Sequence, residues 1–132
     1  MLLEGRVTSG LGVGRVFVGK HVYYVVLTEI LGEEPYLGTL NIEVNLPVDE
    51  VESCCRPHYV KSVVSSGSVL GGFKYWFGRV GSDPHNSIRV LVLRPSLSKH
   101  DSRVLEIVSS KYLREVLGLK DGDRVYVELM CR

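Results

Sequence analysis

The sequence predicts a mainly β, single-domain protein built as one closed or nearly closed barrel with one or two short helices. Three observations predict this. Short alternating or β-branched runs recur along the chain, divided by Gly, Ser, Asp and Pro. Only two segments carry helix signals. The 132 residues hold no low-complexity tract, linker or solenoid-period repeat, and that length suits one domain with a real core. Many short strands with few helices bury their apolar faces best by closing the sheet on itself.

Each element follows in order. "LLEGRVTS" reads as a strand ending in turn residues, and "GRVFVGK" alternates as a second. "HVYYVVLTEILG" is ambiguous: its apolar spacing suits a helix face, and its β-branched and aromatic content suits a strand start. Gly32 directly after Leu31, with Pro35 beyond, favours a helix over about Tyr24 to Leu31. "GTLNIEVNL" places Leu40, Ile42, Val44 and Leu46 on one face and Thr39, Asn41, Glu43 and Asn45 on the other. "VDEVESCCRPHY" is polar and reads as a surface connection. "VKSVVSSGSVL", "FKYWFGRV", "SIRVLVLRP" and "RVLEIVS" read as short strands. "SKYLREVLG" reads as a short helix, with Ser109 or Ser110 to cap it and Gly118 to end it. "LKDGDRVYVEL" turns at Asp121-Gly122 and closes with an alternating strand.

Composition narrows the function. Apolar residues make up 45% and charged residues 23%, an ordinary globular balance. A formal net charge of +1 argues against a general nucleic-acid binder, because phosphate contacts need clustered Lys and Arg. No apolar run approaches the ~18 residues of a membrane span. The start, "MLLEGRV", turns charged at Glu4 and is no secretory signal. Three cysteines, Cys54, Cys55 and Cys131, with two of them adjacent, point to a reduced cytoplasmic protein rather than a disulfide scaffold. His21, His58, His85 and His100 pair with no cysteine at ligand spacing, so no structural zinc is expected.

Three stretches carry chemistry. "SGLGVGR" alternates Gly10, Gly12 and Gly14, followed by Arg15. Glycine reaches positive φ and lets backbone approach a ligand, and successive N–H groups can form a nest for phosphate. A tight barrel corner uses glycines equally well. The segment is neither a P-loop, which ends Gly-Lys-Ser/Thr, nor the dinucleotide fingerprint, which spaces its third glycine one place later and leads into a helix. In "GTLNIEV", Thr39 and Asn41 share a face and offer two hard oxygens, which can serve a magnesium ion or simply water. In the third stretch, Glu106 sits between Leu105 and Ile107 and faces away from both, either to solvent or into the barrel mouth. Lys111 to Arg114 open a helix whose free N–H groups can receive an anion or a base edge. The same segment also reads as an ordinary amphipathic helix.

Taken in order, "SGLGVGR", "GTLNIEV" and "RPSLSKH…VLEIVS…LREVLGLKDGDRV" resemble the archaeal CTP-dependent riboflavin kinases over roughly Leu3 to Leu129. The resemblance implies a cradle-loop barrel with a six-stranded core that phosphorylates riboflavin to FMN at the expense of CTP. It implies a loop of Gly10, Leu11, Gly12, Val13, Gly14 and Arg15 around the CTP phosphates, and magnesium on Thr39 and Asn41. It places flavin contacts at Ser98 and Glu106, with Glu106 also orienting the attacking hydroxyl. Lys111, Tyr112, Leu113 and Arg114 fall where the family holds the cytidine end. "RPSLSKH" departs from the family's more usual Arg-Pro-x-Arg-Thr-x-His at Leu97 and Ser98, and Ser98 keeps a hydroxyl. Tyr75, Trp76 and Phe77 are candidates for a flavin slot by residue type alone, with barrel core as their other role. The expectation is one kinase domain over residues 1–132, without an N-terminal winged helix, acting as a cytoplasmic monomer on riboflavin and CTP. Two other readings stand beside it. "LREVLGLKDGDRV" alone also resembles swapped-hairpin DNA-binding regulators, and a flavin- or nucleotide-binding module without activity would carry the same motifs.

Overall fold

The computed structural model describes residues 1–9, 21–65, 67–96 and 101–132. The elements in chain order are β1 (Leu2–Thr8), α1 (His21–Leu31), β2 (Leu40–Val44), α2 (Val48–Cys54), β3 (His58–Val60), β4 (Val63–Ser65), β5 (Ser68–Leu70), β6 (Phe73–Asp83), β7 (Asn86–Pro95), β8 (Val104–Val108), α3 (Leu113–Val116) and β9 (Arg124–Leu129). The main sheet runs β3-β6-β7-β8-β2-β1-β9, and β6 also pairs with β9. That second pairing closes six antiparallel strands into a barrel, as expected.

The closure depends on the length of β6. Its first residues, Phe73 to Tyr75, pair with β3, and Gly78 to Gly81 pair with β9 while β7 lies along the other edge. Gly78 stands where β6 is gripped on both sides. A Cβ there would meet the Glu128 carbonyl oxygen at 2.3 Å, so only glycine lets β9 approach this closely.

Alternation along the strands sorts two cores. Leu3, Val7, Ile42, Trp76, Val92, Leu105, Ile107, Val125 and Val127 point inward and fill the barrel, joined by Val48, Val51 and Cys55 from around α2. On the outer wall, Tyr23 and Leu27 of α1 pack against Phe73, Leu91, Leu93 and Val108. Gly32 ends α1 with φ +81° and donates its N–H to the Thr28 carbonyl at 2.8 Å, the expected helix stop.

Four sequence expectations need correction. The helix α1 begins at His21 rather than Tyr24. The polar stretch read as a connection contains α2, which starts after Pro47 with Asp49 and Glu50 in its first turn and buries Val48 and Val51. The described residues therefore hold three helices rather than one or two. Acidic residues favour a helix start electrostatically, and two apolar residues three apart suffice to dock one short helix. The terminal helix is a single turn whose N-cap is Tyr112, without a side-chain cap, while Ser109 Oγ accepts from the Lys111 N–H at 3.1 Å.

Fourth, the cysteines are not all reduced: Cys55 and Cys131 form a disulfide, with their Cα atoms 4.8 Å apart across 76 residues of sequence. The pairing is a product of topology. The tail beyond β9 runs beside the end of α2, a juxtaposition no local spacing announces. Cys54 is free and exposed. The expected strand "GRVFVGK" lies outside the described residues. Among the described residues, no helix is long and apolar enough to cross a membrane.

Candidate active site

The strands β1, β2, β8 and β7 lie side by side, and their register lines up Thr8, Asn41, Glu106 and Leu93 in one row. Leu105 and Ile107 belong to the barrel interior, so Glu106 faces outward, as the alternation predicts. It does not face solvent. Glu106 is only 2% exposed and Asn41 only 6%, so the outer wall is covered at this point.

Thr39, one residue before β2, donates its hydroxyl to Glu106 Oε1 at 3.2 Å. Asn41 Oδ1 is buried and has no hydrogen-bond partner among the described residues. Leaving such an oxygen unpaired costs about 1–3 kcal/mol, a standing debt that asks for an explanation. Burial pushes the Glu106 carboxyl above its ordinary range, while the Thr39 hydrogen bond and the charge of Arg94 pull it back. Arg94 is held near the head of β8 by donating to the carbonyls of Asp101 at 2.9 Å and Val104 at 2.8 Å.

The donor set fits a small hard cation. The Thr39 hydroxyl donates a hydrogen bond to Glu106, which leaves oxygen lone pairs for a metal, and Asn41 presents an amide oxygen without a partner among the described residues. Magnesium takes few protein oxygens of this kind and completes its shell with water or phosphate.

Thr39 also lines a pocket of about 50 Å³ with Lys111, Tyr112, Leu113, Arg114 and Tyr36. One residue thus joins the buried carboxylate to the segment read as a nucleotide contact. Arg114 Nη2 pairs with Asp121 Oδ1 at 2.7 Å, and the other oxygen of Asp121 accepts the Ser9 hydroxyl. Both hydrogen bonds hold the Asp121 carboxyl below its usual range, that from Ser9 most. This chain of contacts ties the end of β1 to the turn that carries Arg114.

The structure therefore brings together Thr39, Asn41, Glu106 and Lys111 to Arg114. Gly10, Leu11, Gly12, Val13, Gly14, Arg15 and Ser98 lie outside the described residues. Trp76 is barrel core: it is fully buried, and its indole donates to the Cys55 carbonyl at 2.8 Å. Tyr75 and Phe77 face outward instead. Tyr75 stacks on His58 with ring centroids 5.0 Å apart, and Phe77 lines a cleft of about 460 Å³ with Leu31, Leu91, Ser109 and Lys111. Sequence reasoning missed Tyr36, Arg94 and Asp121. Tyr36 alone left a signal, an aromatic ring just ahead of the Gly-Thr-Leu-Asn motif.

Comparison with known proteins adds the family. The family model CTP-dep_RFKase, described as domain of unknown function DUF120, matches residues 7–129. A riboflavin kinase of Thermoplasma acidophilum is 39% identical over 134 residues, covering 98% of this chain and 57% of that protein. A riboflavin kinase of Thermococcus kodakarensis is 34% identical over 131 residues, covering 98% of this chain and 59% of that protein. The chain thus spans somewhat more than half the length of these two relatives. A riboflavin kinase of Sulfurisphaera tokodaii is 36% identical over 135 residues, covering 96% of this chain and 93% of that protein. The barrel, the motif order and these matches together place the chain in the CTP-dependent riboflavin kinase family.

Proposed function

We propose that this chain transfers the γ-phosphoryl group of CTP to the 5′-hydroxyl of riboflavin, giving FMN and CDP. The observation that carries the reading is the buried row of Asn41 and Glu106, joined through Thr39 to the pocket at Lys111–Arg114. A covered carboxylate, an unpartnered amide oxygen and a hydroxyl are costly together, and phosphoryl transfer uses all three. The family match supports it by running over residues 7–129, where the swapped-hairpin reading rested on "LREVLGLKDGDRV" alone.

Phosphoryl transfer asks the protein mainly to position reactants, neutralise charge and exclude water. Thr39 and Asn41 would hold magnesium, which when bound neutralises charge on the transferring phosphoryl oxygens. Glu106 accepts a hydrogen bond from the ribityl 5′-hydroxyl and aims its oxygen at the γ-phosphorus. A bond forms between that oxygen and phosphorus as the bond to the β–γ bridging oxygen breaks, CDP leaves with the electron pair, and the hydroxyl proton passes to the Glu106 carboxylate. Gly10 to Arg15 wrap the phosphates, Ser98 adds a flavin contact, and Lys111 to Arg114 take the cytidine. Arg94 favours the ionised form of Glu106, which only as a carboxylate is a pure acceptor.

The reading extends to a monomer acting in the cytoplasm. The Cys55–Cys131 bond fits that compartment where intracellular proteins keep disulfides, as those of hyperthermophilic archaea do. The test is incubation of the intact protein with riboflavin, CTP and magnesium, followed by chromatography for FMN. FMN should form with CTP and far more slowly with ATP. A mismatched base leaves buried polar groups unpaired, which is worth roughly 10⁴-fold in a closed site. No FMN from CTP, or equal rates with the two nucleotides, contradicts the reading.

A further inference from the structure

The pocket beside Thr39 is lined by an aromatic pair. Tyr36 and Tyr112 stack with ring centroids 4.8 Å apart and planes 17° from parallel. Both rings line the pocket, yet they are 43% and 44% exposed, far more than stacked aromatics in a core.

We propose that Tyr36 and Tyr112 form a clamp for the nucleobase: the rings rest on each other in the free protein and separate to take the pyrimidine between them. Tyr36 is the new element, since nothing in the nucleotide motif includes it. The clamp deepens the CTP reading above and rests on it. The geometry favours a clamp over a fixed wall. The ring of Tyr36 rides on the short segment between Gly32, with φ +81°, and Gly38, with φ +155°. That segment is pinned at its centre by the Tyr36 N–H, which donates to the Ser109 carbonyl at 2.8 Å. The backbone is thus fixed beside the pocket, and parting the rings needs only rotation about side-chain torsions.

Insertion replaces one tyrosine–tyrosine contact with two tyrosine–base contacts. It needs ring planes about 7 Å apart, two van der Waals steps of roughly 3.5 Å. Stacking is tolerant of base identity, because every base has a π face. Tyr36 therefore supplies affinity, and the hydrogen-bonding groups of Lys111 to Arg114 supply choice.

The test separates these roles. Tyr36→Ala should raise KM for CTP roughly ten- to a hundredfold, the usual cost of losing one stacking ring. It should leave kcat and KM for riboflavin within about twofold, as expected for loss of uniform binding. The preference for CTP over ATP should not move. Tyr36→Phe keeps the ring and should match wild type. In Tyr36→Trp the new indole is the only exposed one, since the sole natural tryptophan, Trp76, is fully buried. Its fluorescence should be quenched on titration with CDP and magnesium. An unchanged KM for CTP in folded Tyr36→Ala overturns the clamp, as does a loss that Tyr36→Phe shares. A wild-type protein that binds no CDP by calorimetry overturns the CTP reading and the clamp together, whereas CDP binding equal in wild type and Tyr36→Ala overturns the clamp alone.

Discussion

The two faces of the barrel wall are equally buried at β2 and β8 but are built for different ends. Inward, Ile42, Leu105 and Ile107 are 0–1% exposed and wholly apolar. Outward, Asn41 and Glu106 on the same strands are 6% and 2% exposed, yet they carry a carboxylate and an amide oxygen without a partner among the described residues. Burial that stabilises on one side of the strand costs stability on the other. The difference marks where burial is not explained by packing. A residue that pays for its burial with packing needs no further reason, whereas Asn41 and Glu106 need one.

That contrast can be broken or sharpened by substitution. The largest effect should come from the inward face. Trp76→Ala empties the centre of the barrel and leaves the Cys55 carbonyl without its donor. It should lose about 3–5 kcal/mol of stability, read by denaturant unfolding, with activity falling only as the protein unfolds. On the outward face the pattern should invert. Thr39→Val with Asn41→Leu roughly keeps volume and removes both hard oxygens. FMN formation should fall on the order of a thousandfold, since charge neutralisation by a bound metal is worth several kcal/mol. The melting temperature should change little, because loss of the buried Asn41 oxygen offsets loss of the Thr39 hydrogen bond to Glu106. Undiminished turnover in saturating magnesium would remove these residues from the site.

Reduction probes the inward face from its edge. The Cys55–Cys131 bond closes a loop of 76 residues of sequence separation. In the chain-entropy account such a loop contributes about 4.5 kcal/mol. Melting in excess dithiothreitol should therefore begin well below melting in its absence, with activity at moderate temperature little changed. Coincident curves would show that the reduced tail docks as firmly as the bonded one.

The same contrast explains what the sequence made legible. Alternation in "GTLNIEVNL" and "VLEIVS" is a local property, so the inward residues and the facing of Glu106 could be read directly. The stop at Gly32 was legible for a similar reason, since one residue supplies the φ that the helix end needs. Non-local facts were not. That Asn41 stands opposite Glu106 is a matter of strand register. That the outer wall is covered there depends on elements remote in sequence, so Glu106 could be placed on a face but not assigned a burial. The disulfide and the Arg114–Asp121–Ser9 chain are likewise contacts between distant segments. The helix α2 was missed because seven residues with two apolar anchors give too short a period to stand out from a polar connection.

Glu106→Gln tests most directly whether the outward polar row serves chemistry at a cost in stability. The substitution keeps shape and the acceptor for Thr39 while removing charge. Because burial raises the Glu106 pKa in the folded state, the contribution of this group to stability is fully present below the unfolded value, near 4.5, and is lost as pH rises through the raised one. The variant lacks that loss. Melting of the ligand-free proteins should therefore be alike at about pH 4 and should favour the glutamine variant at about pH 8. In the same preparation kcat for FMN formation should fall roughly a hundredfold, the lower range for a residue that orients or accepts a proton. A variant with wild-type kcat, or one that is less stable than wild type at the higher pH, would contradict the account.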